Sequence, residues 1–134
     1  MMPPRLLPEL SAAEWAVMQV VWERREAVAR DVFEALQASE GWAVTTVRTM
    51  MERLAKKGYL KQKRVGPVWL YTPAVERRRA IGASFKELLQ RLTPSGAQDL
   101  IAYAVEDAEL TNEQLDALEK LIQNRRGKSH ESRD

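Results

Sequence analysis

Apolar residues recur at helical spacing along most of this 134-residue chain. Trp15, Met18 and Trp22 stand at i, i+3 and i+7 with Val21 beside them, which predicts a helix burying one stripe. Ser11 and Glu14 open it as a capping box, the serine accepting from the amide of the third helical residue and the glutamate reaching back to the serine amide. A second stripe, Val32, Phe33 and Leu36, predicts a helix from Asp31 to Gln37, ended by Ser39-Glu40-Gly41. The segment Val44 to Lys57 carries most information. Laid out at about 100° per residue from Thr45, its apolar members Val47, Met50, Met51 and Leu54 fall between about 140° and 240°, and the remaining arc is polar. Gly58 then stands where a left-handed cap is expected, with Lys56 and Lys57 near the negative end of the helix dipole.

From Tyr59 to Thr72 the period changes. Two β-prone runs flank a Val-Gly-Pro turn, which predicts a hairpin with a basic tip. Three helices followed by such a hairpin match the winged variant of the helix-turn-helix. Beyond Pro73 the pattern is helical again. Ile81, Phe85, Leu88, Leu89 and Leu92 form one stripe that Thr93-Pro94 ends, and Leu100, Ile101, Ala104 and Val105 form another. Thr111 and Gln114 make a further capping box, opening a helix with Leu115, Leu118, Leu121 and Ile122 on one side. Three short amphipathic helices do not readily bury their stripes alone, and a homodimer is the simplest remedy.

The expected fold class is therefore mainly α with a small β-hairpin. A mobile arm over residues 1–10 precedes a winged helix over 11–73, a three-helix dimerisation region over 74–126 and a charged tail over 127–134. The dimerisation residues are Ile81, Phe85, Leu88, Leu89, Leu92, Leu100, Ile101, Val105, Leu115, Leu118, Leu121 and Ile122.

Charge sharpens the picture. The net charge of +2 conceals a stretch, residues 42–66, in which seven basic groups face one acid, Glu52, for a local +6, leaving −4 for the rest. On the polar arc of the third helix, Thr45, Thr46, Arg48, Thr49, Arg53 and Lys56 combine short hydroxyls with long cations. Threonine is a weak helix former with no solubility advantage there, so its density points to contact. Arginine makes bidentate bonds to guanine or phosphate, and threonine offers a hydroxyl to phosphates or bases and a methyl to thymine. Lys61, Lys63 and Arg64 near the hairpin turn are placed for backbone phosphates or the minor groove. Glu52 is expected to pair with Arg48 or Lys56, four residues away on either side, in preference to accepting from cytosine.

Other chemistry is poorly represented. The chain has no cysteine and a single histidine, His130, in the polar tail, so thiol nucleophiles and clusters of soft metal ligands are excluded and no cofactor is expected. Glu106, Asp107 and Glu109 read as a solvated turn. No apolar run approaches the roughly 20 residues that span a bilayer, and the first residues carry no secretory apolar core, so no membrane insertion and a cytoplasmic address are expected. An enzyme is not expected. A winged helix that docks on another protein, without touching DNA, is the alternative reading.

The set Leu10-Ser11-x-x-Glu14-Trp15-x-Val17-Met18-x-Val20-Val21-Trp22, followed by Thr45-Thr46-Val47-x-Thr49-x-Met51-x-Arg53-Leu54-x-Lys56-Lys57-Gly58-Tyr59-Leu60, closely resembles the BlaI/MecI family of penicillinase repressors, over about Leu10 to Ile122. That resemblance implies a homodimer that represses transcription from a palindromic double-stranded DNA operator. In the best-known members a membrane sensor of β-lactams brings about cleavage in the C-terminal region, which implies a sensor and protease pathway as partner. The asparagine-phenylalanine pair associated with that cleavage is replaced here by Tyr103-Ala104, and the cysteines of the copper-responsive relatives are absent.

Overall fold

The computed structural model describes residues 7–92 and 94–131, with the backbone alone at 94, 95 and 129–131. Part of the arm expected over 1–10, the residue Thr93, the end of the charged tail and the side chain of His130 thus lie outside the described residues. The elements are α1 (Ala12–Arg24), α2 (Ala29–Glu40), α3 (Val44–Lys56), β1 (Leu60–Val65), β2 (Val68–Pro73), α4 (Arg77–Arg91), α5 (Pro94–Glu106) and α6 (Asn112–Glu131). Two compact units divide between Leu88 and Leu89.

In the first unit the local signals act as their chemistry requires. Ser11 Oγ accepts from the Glu14 amide at 3.1 Å and Glu14 Oε1 accepts from the Ser11 amide at 2.9 Å, closing the capping box of α1. α2 is longer than the sequence indicates, starting at Ala29, and it ends at Gly41 with φ +67. α3 ends in a Schellman arrangement: Gly58 takes φ +88, and the Tyr59 amide reaches the Leu54 carbonyl at 3.0 Å. At the hairpin tip Gly66 takes φ +59. Proline follows with its ring-fixed φ near −65°, the order a type II′ turn needs.

β1 and β2 pair antiparallel, Leu60 opposite Pro73 and Val65 opposite Val68. Ala27 adds a third, single-residue rung by exchanging backbone bonds of 2.8 and 3.0 Å with Tyr71. The core lies where α1, α2, α3 and the base of the hairpin meet. Val17, Met18 and Val21 from α1, Val32 from α2, and Val47, Met51 and Leu54 from α3 are fully buried. Trp15 packs against this core from its edge, its ring 5.6 Å from that of buried Trp22.

The core does not stop at residue 73. Val75 and Ala80 are buried in it, the Trp22 indole donates to the Val75 carbonyl at 2.9 Å, and the Ala74 amide reaches the Tyr59 carbonyl at 2.8 Å. The connection from β2 into α4 is therefore structural in the winged helix, because its Val75 carbonyl satisfies a buried indole N–H that would otherwise cost free energy. Of the expected arm, residues 7–10 lie on the domain: Leu10 is buried, Leu7 packs on the core, and the Pro8 carbonyl accepts from the Tyr59 hydroxyl.

Lys57 joins this segment to α3. Its ammonium lies 2.7 Å from Glu14 Oε1, an atom pair in which Glu14 is nearly buried, and also donates to the Glu9 carbonyl at 3.3 Å. Burial alone pushes the Glu14 carboxyl up, but Lys57 and Ser11 outweigh it and hold the group below the ordinary carboxylate range.

In the second unit, Pro94 is the first residue of α5, where its missing amide costs nothing. Thr111 and Gln114 form the capping box of α6, at 2.9 and 3.1 Å. α6 runs to Glu131, so described residues 127–131 of the expected tail continue the helix. No described side chain of α5 or α6 is buried.

Two stability outcomes follow from this packing. Leu54→Ala should cost about 2–5 kcal/mol through the cavity left in a closed core, measured by urea unfolding. Lys57→Met should cost on the order of 2–3 kcal/mol at neutral pH, since Glu14 would keep a buried charge without its partner. The Glu14 carboxyl is depressed in the folded state, so the stabilisation from the pair is complete above the unfolded value near 4.5 and lost as pH falls through the lower folded value. The difference between parent and variant should therefore shrink in acid; a difference independent of pH would exclude the ion pair as its source.

Candidate nucleic-acid interface

The rotation of α3 is set by what it buries. With Val47, Met50, Met51 and Leu54 inward, the opposite arc bearing Thr45, Thr46, Arg48, Thr49, Glu52, Arg53 and Lys56 is exposed at every position. Both halves of the helical layout therefore have the orientation expected. Lys57 does not share that face. It sits at about 120° on the same layout, at the margin of the apolar side, and is engaged with Glu14 and Glu9.

Within the arc, Thr49 Oγ1 donates to the Thr45 carbonyl at 3.0 Å. Its single hydroxyl proton is engaged, so it presents acceptor lone pairs and a methyl group outward. The anticipated ion pair of Glu52 with Arg48 or Lys56 is not formed: among the described residues Glu52 has no ion-pair partner. The long side chains at i±4 extend outward where hydration competes with a weak surface pair.

The hairpin separates the three basic residues assigned to its tip. Side chains alternate along a strand, so Lys61 and Lys63 share one face of β1 and Arg64 the other. Arg64 lies over the Trp69 ring, its guanidinium 5.2 Å from the ring centre, and its Nε donates to the Gly66 carbonyl at 3.1 Å. Stacking and bond together pre-order the Arg64 side chain. All three residues are exposed. An open groove between the second half of α3 and the hairpin is lined by Glu52, Lys56, Lys61, Gln62 and Trp69 among others.

The residues assigned to dimerisation are left largely uncovered in the single chain. Ile81 is 50% exposed, Phe85 49%, Ile101 56% and Leu121 60%, and Leu88, Val105, Leu115 and Ile122 are also exposed. Leu89, Leu92, Leu100 and Leu118 are half-buried. No helix among the described residues is long and apolar enough to cross a membrane, and no cluster of metal-ligating side chains occurs among them.

Sequence reasoning placed Glu14 in the capping box and Lys57 at the negative end of the helix dipole, and missed that the two pair with each other. The helical layout carried a signal for Lys57, a cation at the edge of an apolar face, but its partner lies 43 residues away. Arg48→Ala and Thr46→Ala should weaken binding to duplex DNA while leaving the melting temperature unchanged, because both side chains lie outside the core. Unfolding of the domain by Arg48→Ala would mean that α3 is rotated otherwise.

Comparison with known proteins agrees with this geometry. The family model for penicillinase repressors matches residues 10–124. The methicillin resistance regulatory protein MecI of Staphylococcus aureus strain N315 is 28% identical over 114 residues, covering 85% of this chain and 93% of that protein. The penicillinase repressor of Bacillus licheniformis is 26% identical over 125 residues, covering 93% of this chain and 98% of that protein. The solution structure of the DNA-binding domain of the repressor BlaI superposes with a TM-score of 0.50 at 34% identity, over 55% of this chain and 89% of that one. The chain thus belongs to the penicillinase repressor, or BlaI/MecI, family: it is a DNA-binding winged-helix repressor and not an enzyme.

Proposed function

We propose that the protein represses transcription as a homodimer on a palindromic operator, each protomer placing α3 in the major groove with the hairpin against the flanking backbone. The observation that carries this reading is a pair of surfaces on one chain. One is the exposed hydroxyl and basic arc of α3. The other is the set of apolar stripes on α4, α5 and α6, each largely uncovered in the single chain. In water such stripes favour burial by about 25 cal/mol per Å², and a second copy offers the same stripes by symmetry. The protein acts in the cytoplasm, without a cofactor.

In this scheme Thr45, Thr46, Arg48, Thr49, Arg53 and Lys56 meet bases and phosphates, and Lys61, Lys63 and Arg64 meet backbone. Repression is relieved by a signal acting on the C-terminal helices, through a sensor and protease pathway or another route that breaks the dimer. Thiolate capture of a metal is not that signal, since the chain has no cysteine.

Dimerisation carries affinity because tethering two readers makes the second contact intramolecular, a gain of about 10²–10⁴. The boundary for a test is residue 88, not 73, because Val75 and Ala80 belong to the winged-helix core. Residues 1–88 should remain folded, sediment as a monomer and bind a palindromic operator about 10²–10⁴ more weakly than the dimeric full chain. A truncated monomer that binds as tightly as the parent would refute the role of the C-terminal helices. With three or four phosphate contacts per protomer, the log-log salt dependence of the dimer should have a slope of about −5 to −7. A slope near zero would favour a protein partner over DNA.

A further inference from the structure

Glu52 is the sole acid in the basic stretch over residues 42–66, and it does not stand at the margin of the interface. On the helical layout Thr45, Thr49, Glu52 and Lys56 fall within about 60° of one another, on a line directly opposite the midpoint of the buried face. Arg48 and Arg53 flank this line at about 70° on either side. The carboxylate therefore occupies the crest of α3, at its third turn, where a docked duplex meets the helix first. It is exposed and forms no ion pair with Arg48 or Lys56 among the described residues. It also lines the groove toward the hairpin beside Lys61, Gln62 and Trp69.

A carboxylate in that place is unfavourable toward most of a DNA surface. It repels phosphates, and it meets only acceptors at guanine O6 and N7 and at thymine O4. Exocyclic amines are the one class of major-groove group that donates to it, above all the cytosine N4 amine. We propose that Glu52 is a specificity-determining residue of the operator interface, accepting from the N4 amine of one cytosine in each half-site and disfavouring other bases at that position. The inference rests on the DNA-binding reading and adds an assignment to it. Arg48 and Lys56, four residues to either side, would supply phosphate contacts that hold the carboxylate against the base edge. The Thr49 hydroxyl, already donating to the Thr45 carbonyl, leaves the crest without a competing donor from that side chain.

Selection of binding sites from a randomised duplex pool, with the full-length parent, Glu52→Gln and Glu52→Ala, tests this. The parent should select cytosine at one position per half-site with a preference of about 5- to 150-fold over other bases. Glu52→Ala should flatten that position alone, and Glu52→Gln should shift it toward adenine, whose N6 and N7 suit an amide. Both variants should bind random duplex more tightly than the parent, having lost a phosphate-repelling charge, and should melt at the parental temperature. Selected sites identical at every position for all three proteins would overturn the assignment while leaving DNA binding intact. A parent that selects no duplex at all would overturn the reading beneath it.

Discussion

Val47, Met51 and Leu54 lie fully buried against α1 and α2, and their closure leaves α3 one permitted rotation. An α-helix is a rigid cylinder of side chains, so burying one arc dictates the direction of the opposite arc with no further interaction needed. Every proposed contact residue on α3 takes its direction from this packing. The end of the helix is held separately. The Schellman turn at Gly58 closes its last turn, the bond of Lys57 to Glu14 ties that turn to the start of α1, and Tyr59 joins the segment before α1 to the start of the hairpin. The exposed arc of α3 and the hairpin thus share a common anchor at the start of α1 and the segment before it.

Two kinds of surface remain after the core closes, and they have opposite needs. The arc of α3 is polar and stays solvated until a polyanion displaces water and counterions from it. The stripes of α4, α5 and α6 are apolar, and water disfavours them continuously. Helices whose apolar stripes stay largely uncovered, as in α5, α6 and most of α4, contribute little stability in a chain of this size alone. In the proposed dimer, coupling the two would make the affinity for DNA depend on helices that need not touch it, and would give an inducing signal a target remote from the operator.

Much of this was legible in the sequence because it rests on local, periodic or stereochemical rules. The capping boxes at Ser11 and Thr111, the left-handed cap at Gly58, the turn at Gly66 and the facing of α3 are all short-range consequences of residue type. What was not legible depends on contacts distant in sequence. The partnership of Glu14 with Lys57, the acceptance of the Trp22 proton by Val75, and the inclusion of Ala80 in the core depend on the assembled fold, which carries the core past residue 73. Glu52 was misjudged for a different reason. Spacing of four residues permits an ion pair with Arg48 or Lys56, but exposed pairs are weak and spacing alone does not form them. The stacking of Arg64 on Trp69 was likewise hidden until strand register placed the two opposite each other.

The central claim is that the exposed arc of α3, with the hairpin beside it, is the surface that meets DNA. Backbone amide and side-chain shifts of the full-length protein, followed by NMR during titration with an operator duplex, test it directly. The largest changes should fall on Thr45, Thr46, Arg48, Thr49, Glu52, Arg53 and Lys56 and on the hairpin from Lys61 to Trp69, with Val17, Val21 and Val32 little affected. Changes concentrated on the exposed sides of α1 and α2, with α3 silent, would contradict the account.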